Sequence, residues 1–249
     1  MPFTVSHTVV ALAARRTPLP VAAVAVGAMA PDAVLFAPFL PPYTFTHSWT
    51  GVVTIDPVVA LVVLAVWWWL VRPAWAGAVP GVRARLPEDW GRRPRWSLRG
   101  AVAVIVACLV GIATHVVWDA FSHDAGWGVR AVPALRDDVV PGYPWWALVQ
   151  DLSSVLGLVA LLVAAIVWWR RRAPRAVAPL GRASLVVVTV AGAVVVLVVL
   201  VVAARVLVAG RGVGLVVEDL AFRVPPTVAV VLVVGAVVLL LVGRRRSRD

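Results

Sequence analysis

The chain has 249 residues, of which 62% are hydrophobic, and its formal net charge is +11. A mean hydropathy of +0.95 excludes a soluble domain, in which roughly half of the residues are apolar. The arginines gather at the ends of apolar runs, which is the topology signal of a membrane protein and argues against nucleic acid as the partner of the positive charge.

The apolar stretches are continuous and about 20 residues long instead of alternating, so they read as helices and not as barrel strands. The expected fold is all-α, a polytopic transmembrane helical bundle with a short N-terminal re-entrant or buried helical pair. Cys108, the only cysteine, lies in an apolar run, so no intrachain disulfide forms and the thiol serves as a small packing group.

Residues 1–19 lack the positive leader of a signal peptide, since Arg15 and Arg16 follow the first apolar residues. Pro18 and Pro20 interrupt the chain before the apolar segment Val21 to Ala30, which Pro31-Asp32 closes. At about a dozen residues neither piece crosses a bilayer. Val52 to Val71 reads as the first span, Ala101 to Phe121 as the second and Leu148 to Trp169 as the third. Two further spans, Leu185 to Val208 and Thr227 to Val242, are almost pure Val, Leu, Ala and Gly and read as scaffold. The domain reading is a metal-site membrane domain over 1–169, a basic loop over 170–184, and a two-span scaffold with an Arg-rich tail over 185–249.

Arg-rich short loops face the cytoplasm. That rule puts 72–99, 170–184 and the C-terminal tail inside and 122–147 and 209–225 outside, with tryptophans beside Arg72 and Arg170 as interfacial anchors. The N-terminus fits less simply. At 1.5 Å per residue, Asp32 climbs about 20 Å from an inner Arg15-Arg16 and His115 about 24 Å from Arg99, whereas His7 reaches only about 12 Å. Either the first helix is tilted or re-entrant, or the N-terminus is outside.

His115, Asp119 and His123 follow one another at i, i+4, so on a helix they stack on one face as three potential metal ligands. Ionisable groups at the edge of a span are by default functional. The other two histidines, His7 and His47, and Asp32 also lie beside apolar elements. Taken singly, His7 also reads as a surface residue, His47 as interfacial, Asp32 and Asp56 as helix caps, and Asp124 as solvated. Imidazole with carboxylate favours zinc, manganese or iron over calcium, and six potential ligands leave room for a second ion or open coordination positions. Gln150 is a candidate hydrogen-bonding neighbour of a ligand or substrate.

The ordered motifs Met1-Pro2-Phe3-Thr4-Val5-Ser6-His7, Gly27-Ala28-Met29-Ala30-Pro31-Asp32, Phe45-Thr46-His47-Ser48 and His115-Val116-Val117-Trp118-Asp119-Ala120-Phe121-Ser122-His123 resemble those of the DUF4184 family of bacterial membrane proteins. The resemblance continues through Gly126-Trp127 and Leu152-Ser153-Ser154-Val155-Leu156-Gly157, covers about residues 1–165, and leaves the last two spans outside. The order of motifs is similar, more distantly, to inner-membrane metal-dependent hydrolases and to zinc-dependent phospholipase C. This resemblance implies metal ligation by His7, Asp32, His47, His115, Asp119 and His123, in the bacterial cytoplasmic (inner) membrane.

The expected function is metal-dependent hydrolysis of a phosphoester or other ester bond in a membrane lipid or lipid-linked substrate. One or two divalent ions would serve, zinc first, with Asp32 and Asp119 as the catalytic carboxylates and Asp32 as bridging ligand or general base. Substrate would arrive from the outer leaflet beneath 124–146. The alternative is a non-catalytic membrane protein that binds or transports metal.

Overall fold

The computed structural model describes residues 4–94, 97–177, 179–210 and 212–246. Met1 to Phe3, which open the first family motif, and the last three residues of the basic tail lie outside the described residues. Among the described residues, five helices are long and apolar enough to cross a membrane: Ile55–Trp75, Leu98–Ser122, Trp145–Arg171, Arg182–Val208 and Gly214–Val242. The protein is a helical, multi-pass membrane protein, as composition implies.

By its contacts the chain divides into two compact units, Met1–Leu64 with Trp96–Trp168 and Ala65–Arg95 with Trp169–Asp249. Residues 65–95 thus group with the C-terminal helices and not with the N-terminal part.

The first unit starts with a 3-10 turn, Ser6–Val9, that runs into helix α1 (Val10–Ala14). After the prolines come α2 (Val21–Gly27) and a second 3-10 turn, Ala30–Leu35. These are the short N-terminal pair expected from sequence. Two small helices follow, α3 (Tyr43–Thr46) and α4 (Trp49–Val53), the latter capped by the Ser48 hydroxyl, which accepts from Gly51 N at 3.1 Å.

The span expected at Val52 to Val71 is broken at Thr54, whose backbone (φ −117°, ψ −83°) separates α4 from α5 (Ile55–Val66). Pro57, in the first turn of α5, lacks the N–H that would bond Val53 O across the break, and the Thr54 hydroxyl donates back to Thr50 O at 2.6 Å. Ala60 and Leu64 on α5 are buried.

The centre of the unit is α8 (Leu98–Ser122), reached after α6 (Arg72–Trp75) and α7 (Pro80–Arg83). Ser97 caps it, accepting from Gly100 N at 3.1 Å. Against α8 packs α2, at a distance only glycine allows. A Cβ on Gly111 would lie 2.2 Å from Val24 O, and one on Gly27 would lie 2.3 Å from Cys108 O. Small residues at such crossings let helix backbones touch where lipid supplies no hydrophobic drive. Cys108 is buried in this contact, as a packing thiol should be.

Beyond α8 the segment 124–146 is structured: α9 (Trp127–Ala131), a 3-10 turn Pro133–Arg136, and a two-stranded hairpin of β1 (Asp138–Val140) and β2 (Tyr143–Pro144) turning at Gly142 (φ 78°). α9 packs on the end of α8 with Val129 buried. Helix α10 (Trp145–Arg171) closes the unit, and its Gly157 lies against Ser6, where a Cβ would sit 2.9 Å from the serine Cβ.

In the second unit, α11 (Arg182–Val208) packs along α12 (Val213–Arg246). Helix α12 begins some fourteen residues before the expected Thr227 and runs through Pro225 and Pro226, so the expected outer loop 209–225 is helical from Val213 onward. Two prolines each remove a backbone donor, yet membrane helices tolerate this when other groups serve the freed carbonyls. The Trp75 indole in this unit donates to Leu232 O at 2.8 Å, and the Arg85 guanidinium lies 3.8 Å over the Trp169 ring. Trp68 is buried, so one member of the expected interfacial cluster packs inward.

Candidate metal centre

All four histidines and both candidate carboxylates meet in the first unit. His115 and Asp119, one turn apart on α8, face inward and are buried. Asp32 comes from the 3-10 turn after α2, and His47 from the C-terminal end of α3. Asp32, His47, His115 and Asp119 each offer one ligand atom, and these atoms lie within 4.8 Å of one another. This buried Asp-His-His-Asp group has the donor set and convergence to hold a divalent metal ion.

The close crossing of α2 on α8 sets the chemistry of His115. It brings the Ala28 carbonyl to 2.7 Å from His115 Nδ1. A carbonyl only accepts, so Nδ1 carries a proton and Nε2 is the nitrogen turned to the centre. His47 is treated alike: Nδ1 is 3.1 Å from Tyr43 O and 3.1 Å from Thr46 Oγ1, and that hydroxyl is itself committed as donor to Tyr43 O.

The two Nε2 atoms face each other at 3.1 Å. Asp119 Oδ2 is 3.4 Å from both of them, and Asp32 Oδ1 is 3.5 Å from His47 Nε2 and 3.6 Å from His115 Nε2. Four potential ligand atoms thus converge. Ligands held at 2.0–2.2 Å around one zinc ion in tetrahedral to octahedral geometry stand about 2.9–3.5 Å apart, so the spacing fits.

The second carboxylate oxygens are handled differently. Asp32 Oδ2 accepts from Thr4 Oγ1 at 2.7 Å, which fixes the carboxylate with Oδ1 toward the centre. Among the described residues, Asp119 Oδ1 is buried without a hydrogen-bond partner, and so is His7 Nε2, although the two are 3.3 Å apart. They are close enough for an ion pair yet not aligned as donor and acceptor. Orphaned buried polar atoms of this kind are rare in native proteins, and here both border the four-ligand group. The residues present therefore fit a divalent ion.

His123 differs from the expectation of three ligands on one helical face. It is the residue at which α8 ends (φ −137°, ψ 139°), and its Nδ1 lies 3.1 Å from the Asp119 carbonyl oxygen. Its Nε2 is buried and has no hydrogen-bond partner among the described residues. His123 Nδ1 is 3.7 Å from Asp119 Oδ2, so His123 stands at the edge of the group and not in its centre. Gln150 is buried near the start of α10.

Tyr43 is a member that sequence reasoning missed. Its hydroxyl donates to Asp119 Oδ2 at 3.1 Å, and its ring stacks on His47 at 3.6 Å. It sits in a proline-rich connection whose spacing relative to the histidines follows no rule. Thr4, quoted only as part of a motif, is the second omission.

Burial, reinforced by Asp119 and Asp32, pushes the Tyr43 phenol far above its usual range, so it remains a donor. Burial opposes ionisation of Asp32, but hydrogen bonds and charge from His115 and His47 outweigh it and hold the carboxyl well below the ordinary carboxylate range. For His7, burial and the neighbouring His115 push the imidazole down to about 4, leaving it neutral at physiological pH.

Two cavities reach this group. One, of about 520 Å³, is lined by His7 and His115 together with Val10, Trp118, Leu156 and Ala160, and is mostly apolar. The other, of about 310 Å³, is lined by Tyr43, His47, Asp119, His123 and Arg130.

A family model described as a domain of unknown function, DUF4184, matches residues 1–243. The chain belongs to the DUF4184 family. The match reaches well past residue 165 and takes in α11 and most of α12, which corrects the expectation that the last two spans lie outside the family. No curated protein and no solved structure matches the chain.

Proposed function

We propose that this DUF4184 protein is a metal-dependent hydrolase that cleaves a phosphoester or other ester bond in a membrane lipid or lipid-linked substrate. One observation carries the reading: two imidazole Nε2 atoms and two carboxylate oxygens converge, because both imidazole Nδ1 atoms face backbone carbonyls and turn the opposite nitrogen to the centre. With the imidazoles neutral, such an arrangement is repulsive until a cation occupies it. Zinc is the first choice for two imidazoles and two carboxylates, with manganese or iron as alternatives.

When bound, a divalent ion supplies Lewis acidity, polarising the scissile group and lowering the pKa of a coordinated water from 15.7 toward about 7. In this reading His47, His115, Asp32 and Asp119 hold the ion, and His7 extends the site toward a second one. His123 presents its Nε2 to substrate or to the outer edge of the site. Asp32, fixed by Thr4, holds its inward oxygen as general base or bridging ligand. The Tyr43 hydroxyl donates to Asp119 and holds that carboxylate in place.

The two cavities support a lipid substrate. The apolar one suits an acyl or isoprenoid chain, and Arg130 at the polar one suits an anionic head group. The positive-inside rule puts the Arg-rich loops and tail in the cytoplasm of a bacterial inner membrane, and the polar cavity then opens toward the outer face.

The test is metal analysis of detergent-purified protein combined with a screen of phospholipid and lipid-phosphate hydrolysis. Asp119→Ala should lose both metal and cleavage. Metal uptake by vesicles without any ester cleavage would instead establish the non-catalytic reading, a metal-binding or transport protein.

A further inference from the structure

The Arg-rich connections that follow the spans Ile55–Trp75 and Trp145–Arg171 take no part in the metal centre. In the second unit they are tied to each other. Arg175 N donates to Ala84 O at 2.9 Å, Arg172 Nη1 to Arg85 O at 3.3 Å, and Arg85 Nε to Trp169 O at 3.3 Å. The two connections enclose a cavity of about 370 Å³, whose lining includes Arg83, Glu88, Trp90 and Arg175.

Two guanidiniums and one carboxylate line this cavity, and Asp89 is not among the lining residues. Arg175 Nη1 holds Glu88 Oε1 at 2.7 Å, but the Glu88 side chain is 89% exposed. An ion pair so open to solvent is worth little and is readily exchanged. Arg175 Nε is buried and has no hydrogen-bond partner among the described residues. A guanidinium grips an oxyanion with two parallel N–H groups, and a buried donor without an acceptor calls for one.

The place of the cavity in the chain says where that acceptor comes from. Ala76 and Gly77, both in the lining, directly follow Trp75, and Arg175 lies four residues beyond Arg171. Both are the ends of membrane-spanning helices, so the cavity stands at head-group depth. Trp90 in its wall is a residue type enriched at that level. Basic pockets at the ends of spanning helices are suited to anionic head groups.

We propose that this cavity binds the phosphate of an anionic membrane phospholipid, gripped by Arg83 and Arg175, with Glu88 giving way to it. The lipid is held and not cleaved, and the proposal does not depend on the metal reading.

The test is titration of the full-length protein, in a neutral detergent, with phosphatidylglycerol, phosphatidylcholine and inorganic phosphate, read by native mass spectrometry. Wild type should prefer phosphatidylglycerol to phosphatidylcholine by about 10-fold or more. Arg83→Gln and Arg175→Gln should each weaken phosphatidylglycerol binding about 5-fold. Arg92→Gln removes the same charge from the same connection, outside the lining, and should change binding less than about 2-fold. Glu88→Gln, which removes the competing carboxylate, should strengthen binding about 5-fold.

If the Arg175–Glu88 pair only fastened the two connections together, Glu88→Gln would weaken binding as Arg175→Gln does, and that result would overturn the proposal. Equal affinity for the two lipids, or an Arg92→Gln loss as large as that of Arg175→Gln, would overturn it as well. Displacement of phosphatidylglycerol by equimolar inorganic phosphate would assign the site to soluble phosphate and end the lipid reading.

Discussion

Helices α8 and α11 are of similar length and both are apolar enough to span a bilayer, yet 39% of the most apolar window of α8 is buried and only 6% of that of α11. The difference lies in a few residues. Helix α8 carries Ala107, Cys108 and Gly111 on the face that meets α2, and His115 and Asp119 one and two turns further along. Helix α11 carries Val, Leu and Ala all round, with Arg205 near its end. Hydrophobicity alone places a helix in the membrane; small residues let another backbone approach it, and that approach is what orients a histidine. Here the sequence of causes is concrete: Gly111 admits α2, α2 brings the Ala28 carbonyl to His115 Nδ1, and the opposite nitrogen turns to the centre.

The comparison can be broken first at the ligand. His115→Ala should reduce bound metal from about one ion per chain to below about 0.1, a loss of at least two orders of magnitude in affinity, read by elemental analysis of purified protein. Next comes the crossing itself. Gly111→Val drives a side chain into Val24 O and should cost about 3 kcal/mol or more. It should also release metal, because the Ala28 carbonyl is displaced from His115; loss of stability with full metal content would separate packing from site geometry.

A third prediction concerns pH. His7 is held neutral in the folded, metal-free protein with its pKa pushed down to about 4, below the ordinary value of 6.5. Unfolding in that window takes up a proton, so this part of the stability is present above about pH 6.5 and is lost as pH falls toward 4. It amounts to at most about 3 kcal/mol. His7→Gln should flatten the fall in Tm of chelator-treated protein between pH 7.5 and 5; an unchanged slope would assign the acid sensitivity elsewhere. The smallest effect is expected on α11. Leu197, 60% exposed in the structure, faces lipid, and Leu197→Ala should change stability by less than about 0.5 kcal/mol with metal content untouched.

Much of this was legible in the sequence, for an identifiable reason. In a chain this apolar, each His or Asp next to a hydrophobic run is expensive, so His7, Asp32, His47, His115 and Asp119 stood out without knowledge of how they meet. At His123 periodicity carries less, because i, i+4 spacing implies one face only while the helix lasts, and His123 is the C-cap of α8. Asp56 before Pro57 resembles a cap, and only its place inside the first turn of α5, buried, reveals otherwise. Pro225-Pro226 looks like the start of a helix, yet the membrane context carries α12 through it. Tyr43 and Thr4 had no spacing to betray them, since their hydrogen bonds to Asp119 and Asp32 are tertiary.

The most direct measurement is zinc K-edge X-ray absorption on the purified wild-type protein. The account predicts a stoichiometric ion with only nitrogen and oxygen neighbours at about 2.0–2.2 Å and imidazole scattering from two or more histidines. A sulfur neighbour at about 2.3 Å, or no stoichiometric metal after loading with zinc, manganese or iron, would contradict it.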